Sequence, residues 1–282
     1  MATIVLNQNN ITNSLNNTLV YNFPNSVSFK NASIAVQNVS MYYSWYNISS
    51  TLGNNTFSYT WESSINVQTT YTVTIPNGIY EISQINEYLQ FVFISNGHYL
   101  VNASSEYVYY AEFLLSPTAY GVNIITYPFP TALPSGFSNP ASVSFPAQTF
   151  NPVITIPSKF NKIVGYTAGF ATLRNLGVNT TLTSTSSTSP QVQPNPTLIM
   201  TCSLINSKYG NPSTTIYSIT PNGALGEIIE APIYNAVYNK ITDGTYNQFT
   251  IQFLGTDFSP ISIIDPNMTI LLSIRQNEDI QK

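Results

Sequence analysis

The chain has 282 residues, of which 8 are Lys or Arg and 12 are Asp or Glu, for a formal net charge of −4; soluble domains usually charge about a quarter of their positions. Residues 1–29, 113–158 and 175–207 contain no Asp, Glu, Lys, Arg or His. Such a composition excludes a basic nucleic-acid footprint and suits acid–base catalysis poorly. It favours a neutral surface of Asn, Ser, Thr, Gln and Tyr that loses little when covered by a neighbour.

The length fits one large β domain or two small ones. Abundant Tyr, Phe, Val, Ile and Thr favour strands, and 18 Pro and 13 Gly scattered along the chain read as turns between them. Residues 1–19 are uncharged and largely polar, with Ile4-Val5-Leu6 as their one apolar cluster, and read as an extended arm. They lack the basic and apolar regions of a signal peptide, and no uncharged stretch is apolar for long enough to span a membrane, which points to a cytoplasmic origin.

From Thr70 the pattern alternates with period two: Tyr71, Val73 and Ile75 face one way, Thr70, Thr72 and Thr74 the other. Pro76-Asn77-Gly78 makes a turn. Ile82, Ile85 and Leu89 then fall at helical spacing, predicting one short helix over 81–92 that ends before the turn Asn96-Gly97. Tyr107, Tyr109, Ala111 and Phe113 predict a further strand face. Residues 126–152, rich in Pro and Phe, predict an ordered loop, whereas 179–197 is low-complexity and expected to be mobile or ordered only by a neighbour. Leu198, Met200, Cys202 and Leu204 form another alternating face. Asp243-Gly244 reads as a hairpin tip before a strand near 247–254, and Met268, Ile270, Leu272 and Ile274 line the last strand. No internal repeat is present. The expected fold is all-β, an antiparallel sandwich with long loops and one short helix.

Chemistry-bearing residues are few. The lone histidine, His98, follows a turn, and with the lone cysteine, Cys202, it is too little for a His/Cys zinc site. Cys202 reads as a buried apolar side chain. No Gly-x-Ser-x-Gly elbow or phosphate-cradling glycine loop occurs. The acid pairs Glu227 with Glu230 and Asp257 with Asp265 are expected to cap turns rather than flank a scissile bond, and Asp243 and Asp257 lack the acidic neighbours of a calcium site. The chain is therefore read as no enzyme, with no catalytic residue, cofactor-binding residue or metal ligand assigned. Glycosylation sequons, including those at Asn10, Asn31, Asn38, Asn47, Asn54 and Asn179, are as frequent as a chain so rich in Asn, Ser and Thr carries by chance.

Several phrases resemble one family in their order. They include Ile75-Pro-Asn-Gly-Ile-Tyr-Glu, Ile156-Pro-Ser-Lys-Phe-Asn-Lys-Ile, Thr197-Leu-Ile-Met-Thr-Cys and Gly226-Glu-Ile-Ile. The ending adds Leu254-Gly-Thr-Asp257-Phe-Ser-Pro260, Asp265-Pro266 and an apolar strand closing at Arg275. Over about 75–92 and 150–275 the chain resembles the minor capsid (penton) proteins of virophages and Polinton-like viruses. The resemblance implies an antiparallel jelly-roll sandwich, a single jelly roll over 20–282 with an insertion or elaborated loops around 95–150, where the match is weakest. Homopentamers of it would close the fivefold vertices of an icosahedral capsid. The implied partners are further copies of the chain, double jelly-roll major capsid trimers and, in some forms, a vertex fibre or cement protein, with no nucleic acid and no membrane span. It further implies a place in the virion, assembled in the host cytoplasm or virus factory. The alternative is a jelly-roll receptor- or carbohydrate-binding module, such as a spike or lectin domain.

Overall fold

The computed structural model describes residues 1–64, 67–193, 195–224, 226–233 and 235–276. Chain order runs through β1 (Ala2–Asn7), β2 (Thr18–Phe29), β3 (Ala32–Tyr42), β4 (Thr56–Ser64), β5 (Val67–Thr74), α1 (Ile82–Ser95), β6 (Leu100–Val101), β7 (Tyr107–Val108), β8 (Ala111–Leu115) and β9 (Val122–Thr126). It continues through β10 (Val153–Ile156), α2 (Phe160–Val164), β11 (Phe170–Ala171), β12 (Leu182–Thr185), β13 (Leu198–Cys202) and β14 (Thr215–Ile219). The last elements are β15 (Ile228–Pro232), β16 (Asn239–Lys240), β17 (Gly244–Leu254) and β18 (Met268–Gln276). The chain divides into two units, one of Met1–Tyr46 with Asn195–Lys282, the other of Asn47–Pro194.

The first unit holds two antiparallel sheets, ordered β1-β18-β3-β15 and β14-β13-β17-β2, with short β16 also against β3. Counting its eight main strands along the chain, the first pairs the eighth, the second the seventh, the third the sixth and the fourth the fifth. The nest is joined laterally by β18 to β3 and β17 to β13. A hairpin of four such strand pairs wrapped into two sheets is a jelly roll. Both inner faces share one core, with Leu6, Ile34, Val39, Ile270 and Leu272 from one sheet and Leu19, Met200, Cys202, Ile251 and Phe253 from the other.

The second unit has a core of its own around Phe57, Tyr59, Phe93, Phe113, Phe129 and Phe160. Its sheets are β11-β10-β4-β5 and β12-β9-β8, with the hairpin β6-β7 beside them. It enters the chain between the third and fourth strands of the jelly roll. The crossing points are close, because the Trp45 indole N–H donates to Asn195 O (3.1 Å) in the first unit, and Asn47 Nδ2 donates to Val192 O (2.7 Å) in the second.

Four local expectations change. Ala2–Asn7, read as part of an arm, is a strand against β18, with Ile4 and Leu6 buried and Val5 exposed, so the apolar triplet is a strand alternation. The insertion read around 95–150 sits within a unit bounded at Asn47 and Pro194. Asp243-Gly244 is not a hairpin tip: β16 pairs with β3 and β17 with β2, so the turn carries the chain from one sheet to the other. The face drawn from Tyr107 to Phe113 splits into β7 and β8, with Tyr110 buried as well as Ala111. In the low-complexity segment, Leu182–Thr185 is ordered as β12 against β9. The helix lies where the periodicity put it, as α1, burying Ile82, Ile85, Leu89 and Phe93.

Two outcomes test this architecture. Replacing residues 47–194 with a short Gly-Ser linker should leave all eight jelly-roll strands, giving β-type circular dichroism and cooperative unfolding; an unfolded product would show that the first unit cannot stand alone. Asn47→Asp puts a carboxylate against Tyr80 O and Val192 O, which the amide nitrogen now satisfies. Chemical denaturation should show a loss of about 3 kcal/mol or more.

Candidate functional site

The densest cluster of functional groups surrounds His98. On β4, Phe57, Tyr59 and Trp61 alternate inward, as period two requires. Helix α1 delivers the histidine to them. Its C-terminus closes with Gly97 N–H on Ile94 O (3.0 Å) and His98 N–H on Phe93 O (2.8 Å), the two bonds of a Schellman motif. Gly97 occupies the left-handed conformation this requires (φ 70°). The chain thus turns inward at His98, which is 6% exposed.

The imidazole stacks on Trp61 with ring centroids 4.2 Å apart and meets Tyr59 and Tyr71 edge-on. Its Nδ1 lies 2.9 Å from Tyr59 Oη, which accepts from Asn96 Nδ2 at 2.8 Å. Tyr59 is fully buried, and Nδ1 is the acceptor its hydroxyl meets among the described residues. Assigning the phenolic proton to Nδ1 leaves the neutral ring protonated on Nε2. Burial pushes the His98 pKa down from 6.5 to about 4, and burial raises that of Tyr59. Beside the ring opens a recess of about 220 Å³, lined by Trp61, Tyr71, Asn96, His98, Ser142 and Ser144 among others, with no Asp, Glu, Lys or Arg among the described residues that line it.

Other residues singled out by the sequence are scattered. Cys202 lies on β13 with no exposed surface, and burial raises its thiol to about 12. Glu227 accepts from Ala224 N–H (2.8 Å), Asp265 from Asn267 N–H (2.8 Å) and Asp243 from Asn31 N–H (3.0 Å). Asp257 accepts from the N–H (3.0 Å) and hydroxyl (2.5 Å) of Ser259. Glu230 stands exposed on β15, opposite Ser40. These acids hold turns or face solvent. Among the described residues, no three of His, Cys, Asp and Glu gather around a common point.

The sequons at Asn47 and Asn54 are closed by the fold. A glycan attaches to the side-chain amide nitrogen, and here those nitrogens are committed to Tyr80 O and Val192 O, and to Asn47 O, in residues at most 4% exposed.

Sequence reasoning missed the convergence on His98. Tyr59 and Trp61 carry the inward alternation of an ordinary strand, and Asn96 is the polar half of a turn. Their meeting depends on how α1 packs, which no local pattern records.

No protein-family model matches the chain, and no curated protein matches it. Among solved structures, the chain is similar to the crystal structure of the selenomethionine-labelled mavirus penton protein, at 11% identity and a TM-score of 0.47, covering 97% of this chain and 96% of that one. It is also similar to a chain of the 3.5 Å cryo-EM structure of the Sputnik virophage, at 10% identity and a TM-score of 0.37, covering 92% and 98%.

His98 gives a pH dependence whose sign follows from its depressed pKa. The unfolded chain takes up a proton near pH 6.5 and the folded chain only near pH 4. The stabilising contribution is full above 6.5 and is lost as pH falls towards 4. Urea midpoints between pH 7 and 4 should fall accordingly. His98→Phe, which keeps an aromatic ring on Trp61, should flatten that part of the profile relative to the unaltered protein.

Proposed function

We propose that this chain is a penton-type capsid protein, a structural subunit that assembles as a homopentamer at the fivefold vertices of a virophage-like icosahedral capsid. The observation that carries the reading is the nested strand order of the first unit. The phrases that resemble the penton family fall on its closing elements: Leu254 ends β17, Leu254 and Pro260 form a bridge across the following loop, and Asp265-Pro266 leads into β18. The last strand lies between β1 and β3, inside its sheet, so the family-like ending is the segment that closes the sandwich.

The surface chemistry suits permanent burial. Twenty acidic and basic side chains in all supply few ion pairs to an interface, and Val5 on the edge strand β1, Ile228 on β15, and Val237, Phe258 and Ile264 are exposed apolar side chains in this unit. A stable interface buries at least about 1,200 Å², where apolar area contributes roughly 25 cal/mol per Å² before association entropy is subtracted. Exposed ion pairs add only about 0–1 kcal/mol each. Major capsid trimers, and a fibre or cement protein where one exists, are the partners this placement supplies. The virion is the corresponding location.

Multi-angle light scattering at low salt and at about 1 M salt, where charges more than about 3 Å apart are screened, tests both parts. A pentamer of unchanged mass under both conditions is expected. Dissociation on adding salt would refute the uncharged interface, and a trimer or monomer under both would refute the self-assembling pentamer.

A further inference from the structure

The recess beside His98 has the features of a binding site that a capsid subunit does not require. Its ring is almost wholly buried, its Nδ1 is occupied by Tyr59, and Nε2 has no hydrogen-bond partner among the described residues. Nε2 is nevertheless not one of the sealed, unpaired polar atoms of the interior, and His98 lines the recess. A buried donor is ordinarily satisfied, and one left open at a recess is oriented toward whatever enters. Asn96 adds the complementary group: its Nδ2 is given to Tyr59, while Oδ1 has no partner among the described residues.

We propose that this recess binds a single ring of a neutral saccharide. A sugar hydroxyl both accepts and donates, so one hydroxyl can accept from His98 Nε2–H while it or its neighbour donates to Asn96 Oδ1. The hydroxyls of Ser142 and Ser144 offer further partners, and Tyr71, partly exposed at the wall, offers an aromatic surface to the apolar face of a pyranose. Among the described residues the lining has no ionised side chain to pair with a charged sugar, which would lose its hydration without compensation. At about 220 Å³ the recess is smaller than the roughly 300–1,000 Å³ of a drug-sized pocket, so it suits one ring rather than an enclosed oligosaccharide. The aromatic stack and the Tyr59–Asn96 relay hold the donor fixed before the ligand arrives, which lowers the ordering cost of binding.

The test is saturation-transfer NMR on the full-length protein with the methyl glycosides of glucose, galactose and mannose and with N-acetylglucosamine, each titrated to about 50 mM, above the millimolar range expected of so small a site. Glucuronate and glucosamine serve as charged comparators, and glycerol as a control for non-specific hydroxyl contact. At least one neutral sugar should show saturable transfer that the charged sugars and glycerol do not match. Thr69→Trp, an exposed strand position lining the recess, should fill the space and abolish the signal with unchanged circular dichroism. His98→Phe should weaken binding about tenfold by removing the donor. The inference is overturned if no neutral sugar saturates, if charged sugars or glycerol do as well, or if Thr69→Trp leaves the signal intact. None of these outcomes bears on the pentamer, which light scattering reads separately.

Discussion

Buried asparagine amides bonded to the main chain fix the loops on which the rest of this structure depends. Asn17 reaches Ile261 O, Asn54 spans Ser49 N–H and Asn47 O, and Asn151 donates to Thr126 O and Thr180 O. Asn47 accepts from Tyr80 N–H and donates to Tyr80 O, pairing with that residue as a strand neighbour would. A side-chain amide carries the same donor and acceptor as a peptide group. It can complete a loop's hydrogen bonds where no second strand is available, and it brings no ionic desolvation penalty. The scarcity of charge is therefore one chemistry used inside and outside: neutral polar groups organise the loops and also cover the surface.

That constraint explains how distant chain segments close the jelly roll. Asn16 and Asn17 tie the segment before β2 to Ile263 O and Ile261 O, while Ile263 N–H donates to Leu15 O. The same early segment supplies β1, which pairs along its whole length with β18. First and last strands thus meet through both a ladder and an amide clasp. Each contact spans nearly the full sequence, so the entropy of closure must be offset by many of them forming together.

What the sequence discloses is what neighbouring residues decide. Ile82, Ile85 and Leu89 announce α1 because helical period is local, and Asn96-Gly97 stops it because only a residue tolerant of positive φ completes the cap. Met268, Ile270, Leu272 and Ile274 are legible as one buried face for the same reason. β1 was illegible because three alternating residues are too few without knowledge of their partner at the other end of the chain. The borders of the second unit were illegible for another reason. Trp45-Tyr-Asn47 and Gln193-Pro-Asn195 have the composition of everything around them, with no linker signature, since the chain leaves and re-enters one sandwich at adjoining points.

His98 lies at the limit of that local legibility. Its position after a helix-ending turn was visible, but burial came from Trp61 and Tyr59 on a strand separated from it by β5 and α1. In a chain with ordinary surface charge, a buried histidine would commonly find a carboxylate and remain ionised. Here its ring is held by two phenols and an indole, none charged, and burial alone sets its state. The neutral polar chemistry that suits the exterior to permanent contact also leaves this one imidazole as a fixed, uncharged hydrogen-bond donor.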